Sequence, residues 1–128
     1  MSTSTLKSKL DRIFSEYIRR RDAGENGYVR CISCGKIVHW EQSDAGHYVN
    51  RKHMSLRYDE KNVNAQCRDC NRFNEGNMIG YAKGLIAKYG QGVIDYLDVK
   101  RFNACKMTEF ELGVLVKEYR DKLKFLNK

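Results

Sequence analysis

Cys31-Ile32-Ser33-Cys34 and, after thirty-two intervening residues, Cys67-Arg68-Asp69-Cys70 are the two stretches that decide how this chain folds. A C-x-x-C loop lets two thiolates reach one tetrahedral ion while nearby backbone N–H groups soften the charge on sulfur. Two such loops complete a closed four-cysteine site of the structural zinc type. Gly35 follows the first pair, and the pattern places a helix start after the second. A redox reading would need a thioredoxin-like βαβ pattern, which is missing. With Cys31, Cys34, Cys67 and Cys70 all committed to Zn2+, the ion has no open position and serves the fold alone. Cys105 has no partner and is expected to be a small buried hydrophobe.

Working outward, 128 residues suffice for one modest core. The chain is 41% hydrophobic and 31% charged, with a mean hydropathy of -0.68, which excludes a disordered tail. Twenty-four Lys and Arg against sixteen Asp and Glu give a net charge of +8, suited to a polyanion such as DNA. No apolar run approaches the roughly 18 residues of a membrane span, and Met1–Leu10 lacks a signal-peptide core. A cytoplasmic, reducing setting is therefore expected, in which cysteines bind metal before they form disulfides.

The pattern predicts an α+β domain over residues 1–128. Residues 1–24 form an N-terminal helix in which Leu6, Leu10, Ile13, Phe14, Tyr17 and Ile18 line one face. Its basic end, Arg19-Arg20-Arg21, reads equally as a solvated turn or as a phosphate-contacting patch. Residues 28–78 carry short β-rich pieces at Tyr28–Arg30, Lys36–Trp40 and His47–Val49, broken by glycines. Residues 79–128 are helical, from Met78–Tyr89 through a short turn at Val93–Val99 to a last helix that Thr108 and Glu111 open as a capping box. Leu112, Leu115, Tyr119, Leu123 and Leu126 form a stripe on that helix, read either as core or as a pairing seam.

Between the two cysteine pairs lie Gly46-His47-Tyr48-Val49-Asn50 and Asn62-Val63-Asn64-Ala65-Gln66, with Asn71 directly after Cys70. The fifteen-residue step from His47 to Asn62 and the nine-residue step from Asn62 to Asn71 resemble the ββα-metal (HNH) nuclease fold in its H-N-N form. A zinc frame around that core is similar to the Holliday-junction resolvases of the endonuclease VII type. Ala45-Gly46-His47-Tyr48, Leu56-Arg57-Tyr58-Asp59-Glu60-Lys61-Asn62-Val63, Gln66-Cys67 and Cys70-Asn71-Arg72-Phe73-Asn74-Glu75-Gly76-Asn77 resemble the phage NinG (Rap) recombination proteins.

That resemblance implies a divalent-metal endonuclease, phage- or prophage-encoded and active in the bacterial host cell, cutting branched intermediates such as Holliday junctions and D-loops. It makes His47 the general base, Asn62 the loop anchor and Asn71 a ligand of a catalytic Mg2+ or Mn2+. One departure stands out: nucleases of this class place an acidic residue or histidine before the base, and here that position is Gly46. Asp44 and Glu75 are then the candidate further ligands, Glu75 at i+4 from Asn71 if that stretch is helical, with Asn74 and His53 behind them. His39, beside Trp40, reads as structural. Arg51, Lys52, Arg57, Lys61, Arg68 and Arg72 surround the site and are expected to hold DNA phosphates. Two cuts in a four-way junction favour a homodimer, paired through the first or last helix. The rival reading is a zinc module that binds DNA or a protein partner without catalysis.

Overall fold

The computed structural model describes residues 1–127. Helix α1 (Thr3–Asp22) begins at Ser2, whose Oγ accepts the Thr5 N–H at 3.1 Å, and buries Leu10, Phe14 and Ile18. Helix α5 (Glu109–Leu126) begins at Thr108, where the capping box with Glu111 is complete, and buries Leu112, Val116 and Tyr119. These two faces pack on one another, with Tyr58 and Val63 closing the cluster. Phe14 stands edge-on to Tyr119 at 4.9 Å and to Tyr58 at 5.5 Å. Each such side chain is worth about 2 kcal/mol when buried, so the stripes satisfy each other within the chain. Of the stripe that the sequence offered as core or pairing seam, Leu112, Leu115 and Tyr119 pack in this cluster, while Leu126 is exposed.

Two antiparallel two-stranded sheets lie between these helices in the sequence. Strands β1 (Tyr28–Arg30) and β2 (Ile37–His39) pair Val29 with Val38, and the Cys31–Cys34 loop joins them. Gly35 turns that loop with φ at 80° while its N–H donates to the Cys31 carbonyl at 2.9 Å. Strand β3 (Ser43–His47) pairs with β4 (Val63–Cys67), so that His47 faces Val63 and Ser43 faces Cys67. The histidine strand thus runs upstream of His47 and not through Tyr48 and Val49. The reason lies at Val49, whose backbone N–H and carbonyl are both taken by the Asn62 side chain.

Helix α2 (Met54–Arg57), helix α3 (Met78–Tyr89) and helix α4 (Val93–Arg101) enclose a second core of Val49, Leu56, Tyr81, Leu85, Val93 and Leu97. The segment after β4 is not a continuous α-helix. A single π turn (Asp69–Phe73) ends there, and Glu75, Gly76 and Asn77 follow at positive φ. Gly80 and Gly84 let α3 lie against the first cysteine loop, since a Cβ on them would meet the carbonyls of Ser33 and Ile32 at 2.2 and 1.9 Å. The end of α1 is tied to β4: Asp22 accepts the Ala65 N–H at 2.8 Å and Arg21 donates to the Val63 carbonyl at 3.0 Å. No helix among the described residues is long and apolar enough to cross a membrane.

Candidate active site and metal centre

The two cysteine pairs converge because β4 ends beside the β1–β2 loop. The four sulfurs all lie within 4.8 Å of one another, with Cys31, Cys67 and Cys70 buried and Cys34 exposed. Cys34 and Cys67 stand 3.7 Å apart, and a tetrahedral site with metal–sulfur bonds of about 2.3 Å separates its sulfurs by about 3.8 Å. Burial pushes the Cys67 thiol up to about 12, so a cation is what would hold this sulfur as thiolate near neutrality. Asn77 Nδ2 and the Cys70 N–H approach the sulfurs of Cys70 and Cys67 at 3.4 Å each. The set fits a metal ion such as zinc.

On the other side of β3 opens a cavity of about 770 Å3 lined by His47, Asp44, Asn71, Arg51, Arg68 and Arg72 together with Asp11, Phe14, Ser15 and Arg19 of α1. His47 sits half-buried at the end of β3, its Nε2 at 3.1 Å from the Arg57 carbonyl oxygen. A carbonyl only accepts, so Nε2 carries the proton and Nδ1 keeps the lone pair. Burial lowers the imidazole pKa below its usual value, against opposing help from the Arg57 carbonyl and the Asp11 charge. A neutral base at neutral pH follows.

Asn62 is fully buried. Its Oδ1 accepts the Val49 N–H at 2.8 Å, and its Nδ2 donates to the carbonyls of Val49 at 3.0 Å and Leu56 at 3.1 Å. It thereby closes the loop between β3 and β4 on itself and fixes the turn that carries the Arg57 carbonyl.

Asp44 receives Asn71 Nδ2 at 2.9 Å and both Nε and Nη2 of Arg72 at 2.9 Å. Burial works to raise its carboxyl, but those donors outweigh it and hold Asp44 ionised below the usual carboxylate range. The Asp44 and Asn71 side chains both carry oxygen, the donor type that hard divalent cations take, but among the described residues the Asn71 side chain bonds through its nitrogen, to Asp44. The residue before His47 has no room for a ligand: a Cβ on Gly46 would meet Oε1 of Gln66 at 2.0 Å.

The family model described as "Bacteriophage Lambda NinG protein" matches residues 2–128. The chain belongs to the NinG family. It is 33% identical over 120 residues to Protein ninG of Escherichia phage lambda and 34% identical over 122 residues to Protein ninG of Salmonella phage P22, covering 88% of this chain and 58% of each relative. Protein ninG of Escherichia phage 933W is 33% identical over 120 residues, with 88% and 59% covered. The chain thus spans somewhat under three fifths of the length of these relatives. No solved structure matches it.

Of the residues singled out in this NinG-family sequence, His47, Asp44, Asn71, Arg51, Arg68 and Arg72 meet at one cavity. Glu75 does not join them: the π turn stops at Phe73, and Glu75 at φ 48° is exposed outside the cavity lining. His53 and Asn74 lie outside the lining as well. Arg57 turns inward, its guanidinium held by Asp11 and its side chain only 14% exposed, so it is not a phosphate-facing group. Lys52 stays exposed, and Lys61 lies over the Tyr96 ring at 4.9 Å. Asn62 stands behind the site as its anchor.

At the basic end of α1, Arg19 and Arg20 lie over the Trp40 ring at 5.2 and 4.2 Å, Arg19 also lines the cavity, and Arg21 is drawn into the Asp22–Asn64 network. Cys105 is exposed, in the loop before α5, and is no core residue. His39 is structural, its Nδ1 accepting the Glu41 N–H at 3.2 Å. The contribution of α1 to the site was missed. Asp11, Ser15 and Arg19 recur every four residues beside the buried Leu10–Phe14–Ile18 file, a polar file at helical spacing that the sequence does display.

Proposed function

We propose that this chain is a divalent-metal-dependent DNA endonuclease of the ββα-metal class, acting on branched recombination intermediates such as Holliday junctions and D-loops. The observation that carries the reading is the convergence of an oriented, neutral His47 with Asp44 and Asn71 in one cavity edged by Arg51, Arg68 and Arg72. Membership of the NinG family supports it.

In this reading β3, β4 and the π turn are the clamp, and a zinc ion in the four-cysteine site staples it. His47 takes a proton from the attacking water at Nδ1, while its Nε2–H stays on the Arg57 carbonyl. Asp44 and the Asn71 amide oxygen would hold Mg2+ or Mn2+, which would supply charge to polarise the scissile phosphate and neutralise the leaving oxygen. Arg72 then leaves Asp44 for a phosphate, joining Arg51 and Arg68, with Lys52 and Lys61 contacting DNA further out. These contacts position the duplex without reading sequence. Resolution of a four-way junction takes two cuts, which two copies of the chain would deliver from symmetric positions. The work is done in the cytoplasm of the phage's host.

The reading is tested by incubating the protein with a four-way junction and with linear duplex, each with EDTA, Mg2+ or Mn2+. Ion-dependent cutting of the junction is expected; tight binding without cutting under every condition would leave a DNA-binding zinc module.

A further inference from the structure

Asp11 lies on α1, far in sequence from every residue the nuclease reading employs, yet its carboxylate faces the same cavity as His47. Both its oxygens are committed. Oδ1 receives Arg57 Nε at 3.0 Å and the Tyr58 hydroxyl at 2.8 Å, and Oδ2 receives Arg57 Nη2. Arg51 Nη1 adds a looser contact at 3.7 Å. Asp11 therefore grips two consecutive side chains at the end of α2. The backbone between those side chains presents the Arg57 carbonyl to His47 Nε2 at 3.1 Å. On the near side of that carbonyl, Asn62 holds the Leu56 carbonyl at 3.1 Å.

The acceptor that decides which imidazole nitrogen carries the proton is thus fixed from two directions, by Asn62 from the turn before β4 and by Asp11 from α1. An exposed Arg–Asp pair contributes little, but this one is bidentate and its arginine is 14% exposed, the geometry in which a guanidinium fixes direction as well as charge. Without Asp11, one side of the carbonyl loses its support. The turn is then free to rotate the carbonyl away, and Nε2–H loses its preferred acceptor.

We infer that Asp11 is a positioning residue for the His47 base, acting through Arg57 to hold the imidazole with Nδ1 open toward the cavity. The inference deepens the nuclease reading and rests on it for its catalytic consequence, though not for its structural one. It also makes α1 a working part of the site.

Two variants test it, Asp11→Asn and Arg57→Met; the second keeps the backbone carbonyl and removes what Asp11 grips. Nitrogen-15 NMR of the His47 imidazole is read in each, beside single-turnover cleavage of a four-way junction and zinc content. Wild type is expected to show the Nε2–H tautomer, and both variants a mixture of tautomers. In cleavage, the single-turnover rate constant at saturating protein is expected to fall about 10- to 100-fold, the cost of an ångström-scale misplacement, with the half-saturating protein concentration changed by less than about twofold. The double variant should be no worse than the poorer single one, because both act through one contact. Should Asp11→Asn fail to fold, Arg57→Met alone decides. An unchanged tautomer in the folded variants, or losses that multiply in the double variant, overturns the role of Asp11. A wild type that shows the tautomer but cuts no branched DNA overturns the nuclease reading instead.

Discussion

A Cβ on Gly46 would lie 2.0 Å from Oε1 of Gln66, and Gln66 cannot step aside. Its Nε2 donates to Ser33 Oγ at 2.9 Å and to the Gly76 carbonyl at 2.6 Å, linking the first cysteine loop to the turn after the second. The fully buried Gln66 thus fills the space that a side chain at position 46 would take. In the proposed reading the acidic group comes instead from Asp44, two residues earlier on the same strand.

Gly46→Ala should accordingly destabilise the protein by about 2 kcal/mol through overpacking against a pinned side chain. Urea unfolding should show a lower midpoint at unchanged slope. An unaltered midpoint would mean that Gln66 moves freely.

Asn62→Ala should strip hydrogen bonds from the Val49 N–H and carbonyl and from the Leu56 carbonyl at once. Buried polar groups left without partners cost about 1–3 kcal/mol each, so a loss of at least about 3 kcal/mol is expected. Thermal or urea unfolding with intact metal content measures it; a loss below about 1 kcal/mol would show that water replaces the amide at little cost.

The four-cysteine centre should carry one zinc per chain by elemental analysis. Cys67→Ser should release the ion and unfold the β1–β2 loop, because ligand and fold are linked. Purified wild type that is folded and free of zinc would refute this.

The titration of His47 has a definite sign. Burial depresses its pKa in the folded chain below the usual 6.5, more than the Arg57 carbonyl and Asp11 restore. The stability held by the neutral imidazole is therefore fully present above pH ~6.5 and is lost as pH falls through the folded pKa. NMR titration without divalent ions should place the His47 midpoint below 6.5, and a midpoint above 7 would contradict the buried environment.

Much of this was legible in the sequence because it rested on spacing. The two C-x-x-C pairs had to meet, the capping box at Thr108 marked α5, and the periodicity of Met78–Tyr89 gave α3 to the residue. What escaped were choices settled by tertiary contact. Arg57 looked like a phosphate ligand until Asp11 claimed it, Glu75 looked helical until the chain turned left-handed, and the stripes on α1 and α5 found each other. Charge and periodicity say that a side chain needs a partner, but not which partner the fold supplies.

The central claim is that His47 is a base and not a structural histidine, and His47→Ala tests it most directly. Cleavage of a four-way junction by the variant should be measured in Mg2+ and in Mn2+, with zinc content and junction binding confirmed equal to wild type. The account predicts that cutting is lost while zinc and binding persist. Cutting at the wild-type rate by the folded variant would contradict it.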